Sequence, residues 1–198
     1  AFAGGLLLGV VLALLKLSSI GPFRWIATAW IELFRGLPAI LTIFAIAFIL
    51  PIGLGVPGTK LGGPVVLGLI GLILVASAYM AETIRAGIQA VPKGQTEAAR
   101  SLGMSPMKTT FWIVVPQGFR IIIPPLTNEF VLLLKDTSLL FVAGSFIWSK
   151  ELTNFARDAS TQNANGTPLI MAAALYLIVT IPLTRFSAYL ERRMSRQR

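Results

Sequence analysis

The sequence predicts an all-α integral membrane protein with about five transmembrane helices, the first of them truncated. Hydrophobic residues make up 55% of the chain and charged residues 13%, against a charged share of about 25% in ordinary soluble domains. Several apolar blocks approach the roughly 20 residues that a membrane-spanning helix needs. The cations gather in alternate connections between these blocks. This composition excludes a disordered tail, which needs low hydrophobicity, and a nucleic-acid-binding domain, which needs clustered cations on a soluble body.

Five apolar blocks give the predicted spans. They cover residues 1–15, 37–56, 65–81, 111–147 and 168–190. The first block is apolar throughout but short, and it lacks the basic leader of a signal peptide. We therefore interpret it as the end of a span that begins upstream. Residues 1–198 are predicted to form a single transmembrane domain.

The fourth block is the irregular one. Prolines and polar pairs interrupt it at Pro116, Pro124-Pro125, Asn128-Glu129 and Lys135-Asp136. Because two successive prolines remove two backbone donors, the sequence predicts a disturbed helix at Pro124-Pro125.

The 17 cations divide unequally between the predicted sides of the membrane, 12 against 3, with Arg120 and Lys135 inside the fourth block. The larger set is Lys16, Arg24, Arg35, Arg85, Lys93, Arg100, Lys108, Arg185, Arg192, Arg193, Arg196 and Arg198. The smaller set is Lys60, Lys150 and Arg157. Since Lys and Arg accumulate in cytoplasmic loops, residues 92–108 and the C-terminus are expected to be cytoplasmic, and residues 149–167 extracytoplasmic.

The chain offers no constellation for catalysis. It has no Cys and no His, which removes thiol chemistry, thiolate ligands, the commonest general base and the commonest metal ligand. Its carboxylates mostly stand beside Arg or Lys rather than beside each other. The glycines at 53–58 follow an apolar block and precede no acid until Glu82, so they predict a turn and not a nucleotide site. We expect no catalytic residue, no metal and no cofactor in this chain.

The connection at 92–108 has the composition of two short helices joined by a corner. Thr96 suits an N-cap, Glu97 suits the positive end of a helix dipole, and Ala98-Ala99 favour helix. Gly103 can take the left-handed conformation that ends a helix, and Ser105-Pro106 suits the start of the next. These propensities fit a docking element for a partner as well as a surface helix-turn-helix without one.

This connection closely resembles the EAA motif of ABC-importer permeases. The matching residues are Glu97-Ala98-Ala99, Gly103, Ile113, Val115 and Pro116. Val115 stands where the family usually has Leu. Five segments resemble the polar-amino-acid branch of that family, namely 32–38, 79–88, 94–99, 124–130 and 135–139.

The resemblance implies a type I ABC importer-like transmembrane domain in a bacterial inner membrane. It implies a permease subunit that translocates polar amino acids while a separate ATPase binds ATP and Mg²⁺. The short helix with Thr96, Glu97, Ala98, Ala99 and Gly103 would be the coupling helix that docks into this ATPase. The implied partners are two ATPase subunits, a second permease subunit, a soluble substrate-binding protein and membrane lipid, with no nucleic acid. The alternative is a fragment of an ion- or proton-coupled amino-acid carrier.

Charged side chains at membrane depth usually face a cavity or a partner, because their insertion is costly. We therefore expect Asn128 and Glu129 to line the passage, with Glu129 neutralising a substrate ammonium group. Alternatively, Glu129 pairs with Arg120 or with the partner subunit.

Lys135-Asp136-Thr137-Ser138 predicts the end of a helix, because adjacent opposite charges do not share a helix face. Asp136 would then cap the following segment through Thr137 and Ser138, and a direct contact with substrate is the alternative.

Two further acid-base pairs are spaced for contact. Glu82 and Arg85 are three residues apart on a helix that continues from the third span towards Pro92, so we expect a structural pair, with a gate role as the alternative. Glu32 and Arg35 have the same spacing before the second span. Gly5 and Gly9 have the small-xxx-small spacing that favours helix packing.

Overall fold

The computed structural model describes residues 1–144 and 150–195, and within these ranges it is helical with no strand. The α-helices are α1 Phe2–Leu17, α2 Gly21–Gly36, α3 Ala39–Phe44, α4 Leu50–Gly53, α5 Pro64–Gln89, α6 Lys93–Ser101, α7 Pro106–Thr109, α8 Val115–Asp136, α9 Leu152–Gln162 and α10 Thr167–Ser195. π-helical turns at Ala45–Ile49 and Thr110–Val114 join α3 to α4 and α7 to α8. The all-α fold class is confirmed.

Two described helices, α5 and α10, are long and apolar enough to cross a bilayer by themselves. A third crossing results if α2 and the run from α3 to α4 form one span that bends by 106°. Helix α1 is apolar but shorter, and α8 carries Arg120, Asn128 and Glu129, which lower its hydropathy. The five predicted spans correspond to α1, the α3–α4 run, α5, α8 and α10. The end of the fourth block at 145–147, and Arg196 and Arg198, lie outside the described residues.

Helix α5 is the centre of the fold, and α1, α2, α3 and α8 all pack against it. Small residues bring α1 close: a Cβ on Gly5 would lie 2.8 Å from Cβ of Ala76, and one on Gly9 would lie 3.0 Å from Cβ of Met80. The predicted packing role of Gly5 and Gly9 is confirmed.

Gly36 and Pro38 predict an irregular start of the second span, and the structure has a corner between α2 and α3 at this place. Gly36 ends α2, and Leu37 and Pro38 have extended backbone with ψ of 137° and 134°. Proline disfavours helical conformation in the residue before it, so Leu37-Pro38 stops α2 and lets α3 start in a new direction. Helix α2 itself lies in a stretch to which the sequence analysis assigned no element.

The predicted disturbance at Pro124-Pro125 is wrong, because α8 runs without a break through both prolines. Two side-chain bonds lie beside the prolines: Thr127 Oγ1 donates to the Ile123 carbonyl at 2.9 Å, and Ser187 Oγ of α10 donates to the Pro124 carbonyl at 3.4 Å.

The predicted helix end at Asp136 is confirmed, since α8 stops there and a 3-10 helix covers Thr137–Ala143. The predicted capping by Asp136 is wrong, because its side chain makes no cap hydrogen bond. Thr137 Oγ1 instead donates backwards to the Leu134 carbonyl at 2.6 Å.

The start of α6 also differs from the prediction. Pro92 is the N-cap and α6 begins at Lys93, so Thr96 lies one turn inside the helix and its predicted N-cap role is wrong. Proline fixes φ near the helical value, and the Gln95 amide closes the first turn by donating to the Pro92 carbonyl at 3.0 Å.

The predicted end of α6 is correct. Gly103 has φ of +82°. Its amide donates to the Arg100 carbonyl, and the Met104 amide donates to the Ala99 carbonyl, which is the Schellman arrangement. Ser105 then caps α7 by accepting a bond from the Lys108 amide at 3.4 Å.

Candidate translocation pathway and coupling helix

A cavity of about 390 Å³ lies between the α2–α3 corner, α5 and α8, and we call it the central cavity. Arg35 at the end of α2 and Tyr79 of α5 form part of its wall. Glu129 and Asp136 of α8 also line it, because residues seven apart share one face of a helix. The central cavity therefore holds one guanidinium and two carboxyl groups.

Arg35 is positioned by an aromatic ring. Its guanidinium carbon lies 5.4 Å from the centroid of the Tyr79 ring, within the range of a cation–π contact. The predicted Glu32–Arg35 pair is not formed, because none of the ion pairs in the described ranges 1–144 and 150–195 joins these two residues. The Arg35 head group is thus available to a ligand.

A second, more polar space adjoins the central cavity. This crevice has a volume of about 520 Å³, and it shares Arg35, Gly36 and Tyr79 with the central cavity. Lys16 and Glu82 line its other side. Arg35 and Tyr79 therefore form the boundary between the two spaces.

Glu82 connects two helices. Its carboxylate is 2.5 Å from Arg85 Nη2 on the same helix, which confirms the predicted pair, and 3.1 Å from Lys16 Nζ on α1. The Lys16 and Glu82 side chains are 20% and 22% exposed, so this pair is screened less than a surface pair. The sequence analysis missed the Lys16 contact, although Lys16 is the first charge in the chain and ends an apolar block.

The structure does not bring Asn128 together with Glu129. Asn128 is exposed and faces a separate cleft of about 370 Å³ beside Ser187 and Glu191 of α10. Neighbouring residues on a helix point in directions about 100° apart, so the two side chains lie on different sides of α8. In the described ranges Glu129 also forms no ion pair with Arg120.

Thr137 and Ser138 are also outside the central cavity. Ser138 lines a space of about 560 Å³ beside Thr153 and Tyr176, and Thr137 is half-buried and bonded to the backbone. Of the six residues predicted for the pathway, Glu129 and Asp136 share one cavity, and Glu82 lines the crevice beside it.

The predicted coupling residues lie on the short α6 helix and its C-terminal turn. Thr96, Glu97, Ala98 and Gly103 are exposed, whereas Ala99 is buried. Leu102 was missed by the sequence analysis, yet 85% of it is exposed at the same end of the helix. An apolar side chain of this exposure suits a contact with another protein.

A helical membrane domain with a charged internal cavity and an exposed short helix between two long ones has the features of a transport subunit. Residues 5–196 match the family described as "Binding-protein-dependent transport system inner membrane component". The chain belongs to this family, and it is a multi-pass membrane permease.

Proteins with similar sequences are named as permeases of transport systems. The chain is 38% identical to the probable glutamine ABC transporter permease protein GlnM of Bacillus subtilis (strain 168), covering 99% of this chain and 87% of that protein. It is 36% identical to the inner membrane amino-acid ABC transporter permease protein YhdY of Escherichia coli (strain K12), covering 98% of this chain but only 52% of that protein. It is 35% identical to the L-cystine transport system permease protein TcyB of Bacillus subtilis (strain 168), with 99% and 81% covered.

Solved structures show the same fold. A crystal structure of an amino acid ABC transporter with histidines matches with a TM-score of 0.84 and 35% identity, covering 97% of this chain and 86% of that chain. An inward-facing MetNI methionine ABC transporter matches with a TM-score of 0.76 at 16% identity, covering 98% and 88%. The second likeness concerns the fold alone. The type I importer fold is confirmed.

Proposed function

We propose that this chain conducts amino acids through the membrane as the permease subunit of an ABC importer, with Arg35, Glu129 and Asp136 as the substrate contacts. The observation that carries the proposal is the charge arrangement in the central cavity, where a guanidinium and two carboxyl groups line one space. Every amino acid carries a carboxylate and an ammonium group. Arg35 matches the first by paired hydrogen bonds, and Glu129 and Asp136 match the second.

The exit route follows from the shared boundary. A substrate held in the central cavity passes Arg35 and Tyr79 to reach the crevice beside Lys16 and Glu82. The substrate carboxylate then leaves Arg35 and enters the crevice, which Lys16 also lines. The carboxylate therefore stays close to a cation along the path.

Energy is supplied by another subunit in this proposal. Helix α6 docks on an ATPase that binds ATP and Mg²⁺, and closure of two such ATPases moves α6 and shifts the permease between outward-open and inward-open states. A second permease subunit completes the pathway, and a soluble binding protein delivers substrate from outside. Nucleotide state and binding-protein docking favour different conformations, which is the physical meaning of coupling. The C-terminus and α6 share the cytoplasmic side.

Uptake by the reconstituted transporter tests the substrate site. The complete transporter, with its ATPase and binding protein, is placed in vesicles and assayed with acidic, neutral and basic amino acids. Glu129→Gln removes one charge-assisted hydrogen bond, so we expect uptake to require a roughly 10- to 100-fold higher substrate concentration, with basal ATP hydrolysis retained. Glu191→Gln is the matched control, because Glu191 lines the α8–α10 cleft instead. Unchanged uptake of every amino acid by Glu129→Gln would contradict the proposal, as would uptake without the ATPase.

A further inference from the structure

A pocket of about 580 Å³ lies where the start of α6 meets α8 and α10, and we call it the junction pocket. Its lining is Ala90, Pro92, Gln95, Gln117, Arg120, Ile121 and Met194. It shares no residue with the central cavity or the crevice. Gln117 Nε2 donates to Gln95 Oε1 at 3.3 Å across the pocket, so the Gln95 amide hydrogens remain available to an acceptor within the described residues.

Helix packing gives the depth of this pocket in the membrane. If the hydrocarbon core begins at Pro64, about 20 residues of α5 cross it and Gly87 lies about 5 Å beyond it. A Cβ on Gly87 would overlap Ile122 Cγ1, and one on Gly118 would lie 3.6 Å from the Gly87 carbonyl. Arg120 stands between Gly118 and Ile122 on α8. The pocket is therefore level with the lipid headgroups, which form a layer of about 5–7 Å on each side of the core.

The charge in the pocket has no counter-ion among the described residues. Arg120 is exposed and forms no ion pair with a residue in 1–144 or 150–195. The aromatic side chain next to it on the chain, Phe119, is 60% exposed. A cation near the membrane surface is attracted to anionic lipid. The surroundings of Arg120 thus suit a phosphate at this boundary.

We propose that the junction pocket binds the phosphate of an anionic phospholipid headgroup, with Arg120 as its charge partner and Gln95 as a neutral donor. The same chemistry would accept a soluble phosphate, but the depth of Arg120 favours the lipid. Pro92 and Gln95 begin α6, so a bound headgroup links α6 to α8 and restrains its position. The binding step stands without the proposed function, whereas any effect on ATP hydrolysis rests on it.

Native mass spectrometry of the purified transporter tests this binding. Phosphatidylglycerol and phosphatidylcholine are titrated against the native chain, Arg120→Gln and Arg120→Lys. Arg185→Gln is the matched control, because Arg185 is an exposed cation of α10 outside the pocket. One cation near a membrane surface changes affinity roughly fivefold. We expect phosphatidylglycerol to bind roughly fivefold more weakly to Arg120→Gln, and Arg120→Lys and Arg185→Gln to bind like the native chain.

Three results would overturn the proposal. The first is equal affinity of Arg120→Gln for phosphatidylglycerol. The second is full displacement by glycerol 3-phosphate, which would assign the pocket to a soluble phosphate. The third is lipid binding to the permease subunits alone that is absent from the complete transporter with its ATPase, which would assign the surface to a protein contact. Uptake is measured on the same samples. Weaker lipid binding with normal uptake in Arg120→Gln supports the lipid site. If the native chain takes up substrate normally but binds phosphatidylglycerol no better than phosphatidylcholine, the lipid site is contradicted and the proposed function is not.

Discussion

At the scale of single residues, the ion pairs show what spacing can and cannot predict. Glu82 and Arg85 were predicted because three residues separate them on one helix. The contact of Glu82 with Lys16 joins α1 to α5, and its partners are 66 positions apart in the chain. No local pattern encodes the angle at which two helices cross, so the third member of the cluster could not be predicted.

Glu82→Gln should destabilise the protein by about 1–2 kcal/mol, because Lys16 and Arg85 would lose a shared, partly shielded carboxylate. The thermal unfolding midpoint in detergent measures this loss. Glu32→Gln is the control, since Glu32 is exposed and has no ion pair within the described residues, and its effect should stay within about 0.5 kcal/mol. Equal midpoints for the two variants would show that the cluster contributes nothing.

Arg35 is the residue for which the proposed substrate contact is most direct. Arg35→Gln removes the one cation among the described residues that line the central cavity, so the half-saturating substrate concentration should rise roughly tenfold or more. Uptake by the reconstituted transporter gives this value. Arg24→Gln, on the same helix but outside both spaces, should behave like the native chain. A similar rise in both variants would assign the effect to the charge of α2 as a whole.

At the scale of elements, helix ends were predictable where one residue determines the backbone. Gly103 and Ser105-Pro106 gave the correct corner, because a positive φ and a side-chain cap are local features. The continuity of α8 was not predicted, because proline disfavours a helix interior locally, whereas the packing of α8 against α5 and α10 is not a local feature. The beginning of α6 was predicted wrongly because Thr96 is a suitable N-cap residue by its side chain. The helix uses Pro92, the earlier of the two.

Gly103→Ala should weaken the corner after α6, since a side chain at φ of +82° costs about 1–2 kcal/mol. We expect weaker binding of the ATPase, measured by co-purification, and less ATP-dependent uptake. Gly94→Ala is the control, because Gly94 has no positive φ and no neighbour within 4 Å of an added Cβ. It should leave ATPase binding unchanged or strengthen it slightly. Equal ATPase binding by both variants would count against a coupling role of this corner.

The α5–α8 contact offers a second test at this scale. Gly87→Ala would place a Cβ against Ile122, so the unfolding free energy should fall by about 1–3 kcal/mol through overpacking. Ile122→Ala on the same chain removes the opposing atoms and should recover part of the loss. If the stability loss of the double variant equals the sum of the two single losses, residues 87 and 122 do not interact across the α5–α8 contact.

At the scale of the whole molecule, composition predicted the fold class, and the placement of charges predicted which connections share a side. The assembly of five spans around α5 was not encoded in either. It depends on small residues at many close contacts, and these are recognisable only in part, as at Gly5 and Gly9. The central cavity also depends on tertiary packing, because its lining comes from three segments that are far apart in the sequence.

The absence of cysteine makes the predicted orientation directly testable. A single cysteine at Ser101, at the end of α6, should react with a membrane-impermeant thiol reagent only from the cytoplasmic face of vesicles. A single cysteine at Thr161, an exposed residue of α9, should react only from the opposite face. Labelling of both positions from one face would refute the topology derived from the 12-to-3 distribution of cations.

The α2–α3 corner has one consequence for motion. Arg35 stands within three residues of Leu37-Pro38, whereas the other end of α2 at Gly21 is about 22–24 Å away. A given rotation of α2 about this corner displaces Gly21 several times farther than it displaces Arg35. In the proposed transport cycle, a rotation of α2 about this corner would therefore change the contacts that Gly21 and its neighbours make while leaving the Arg35 guanidinium nearly in place.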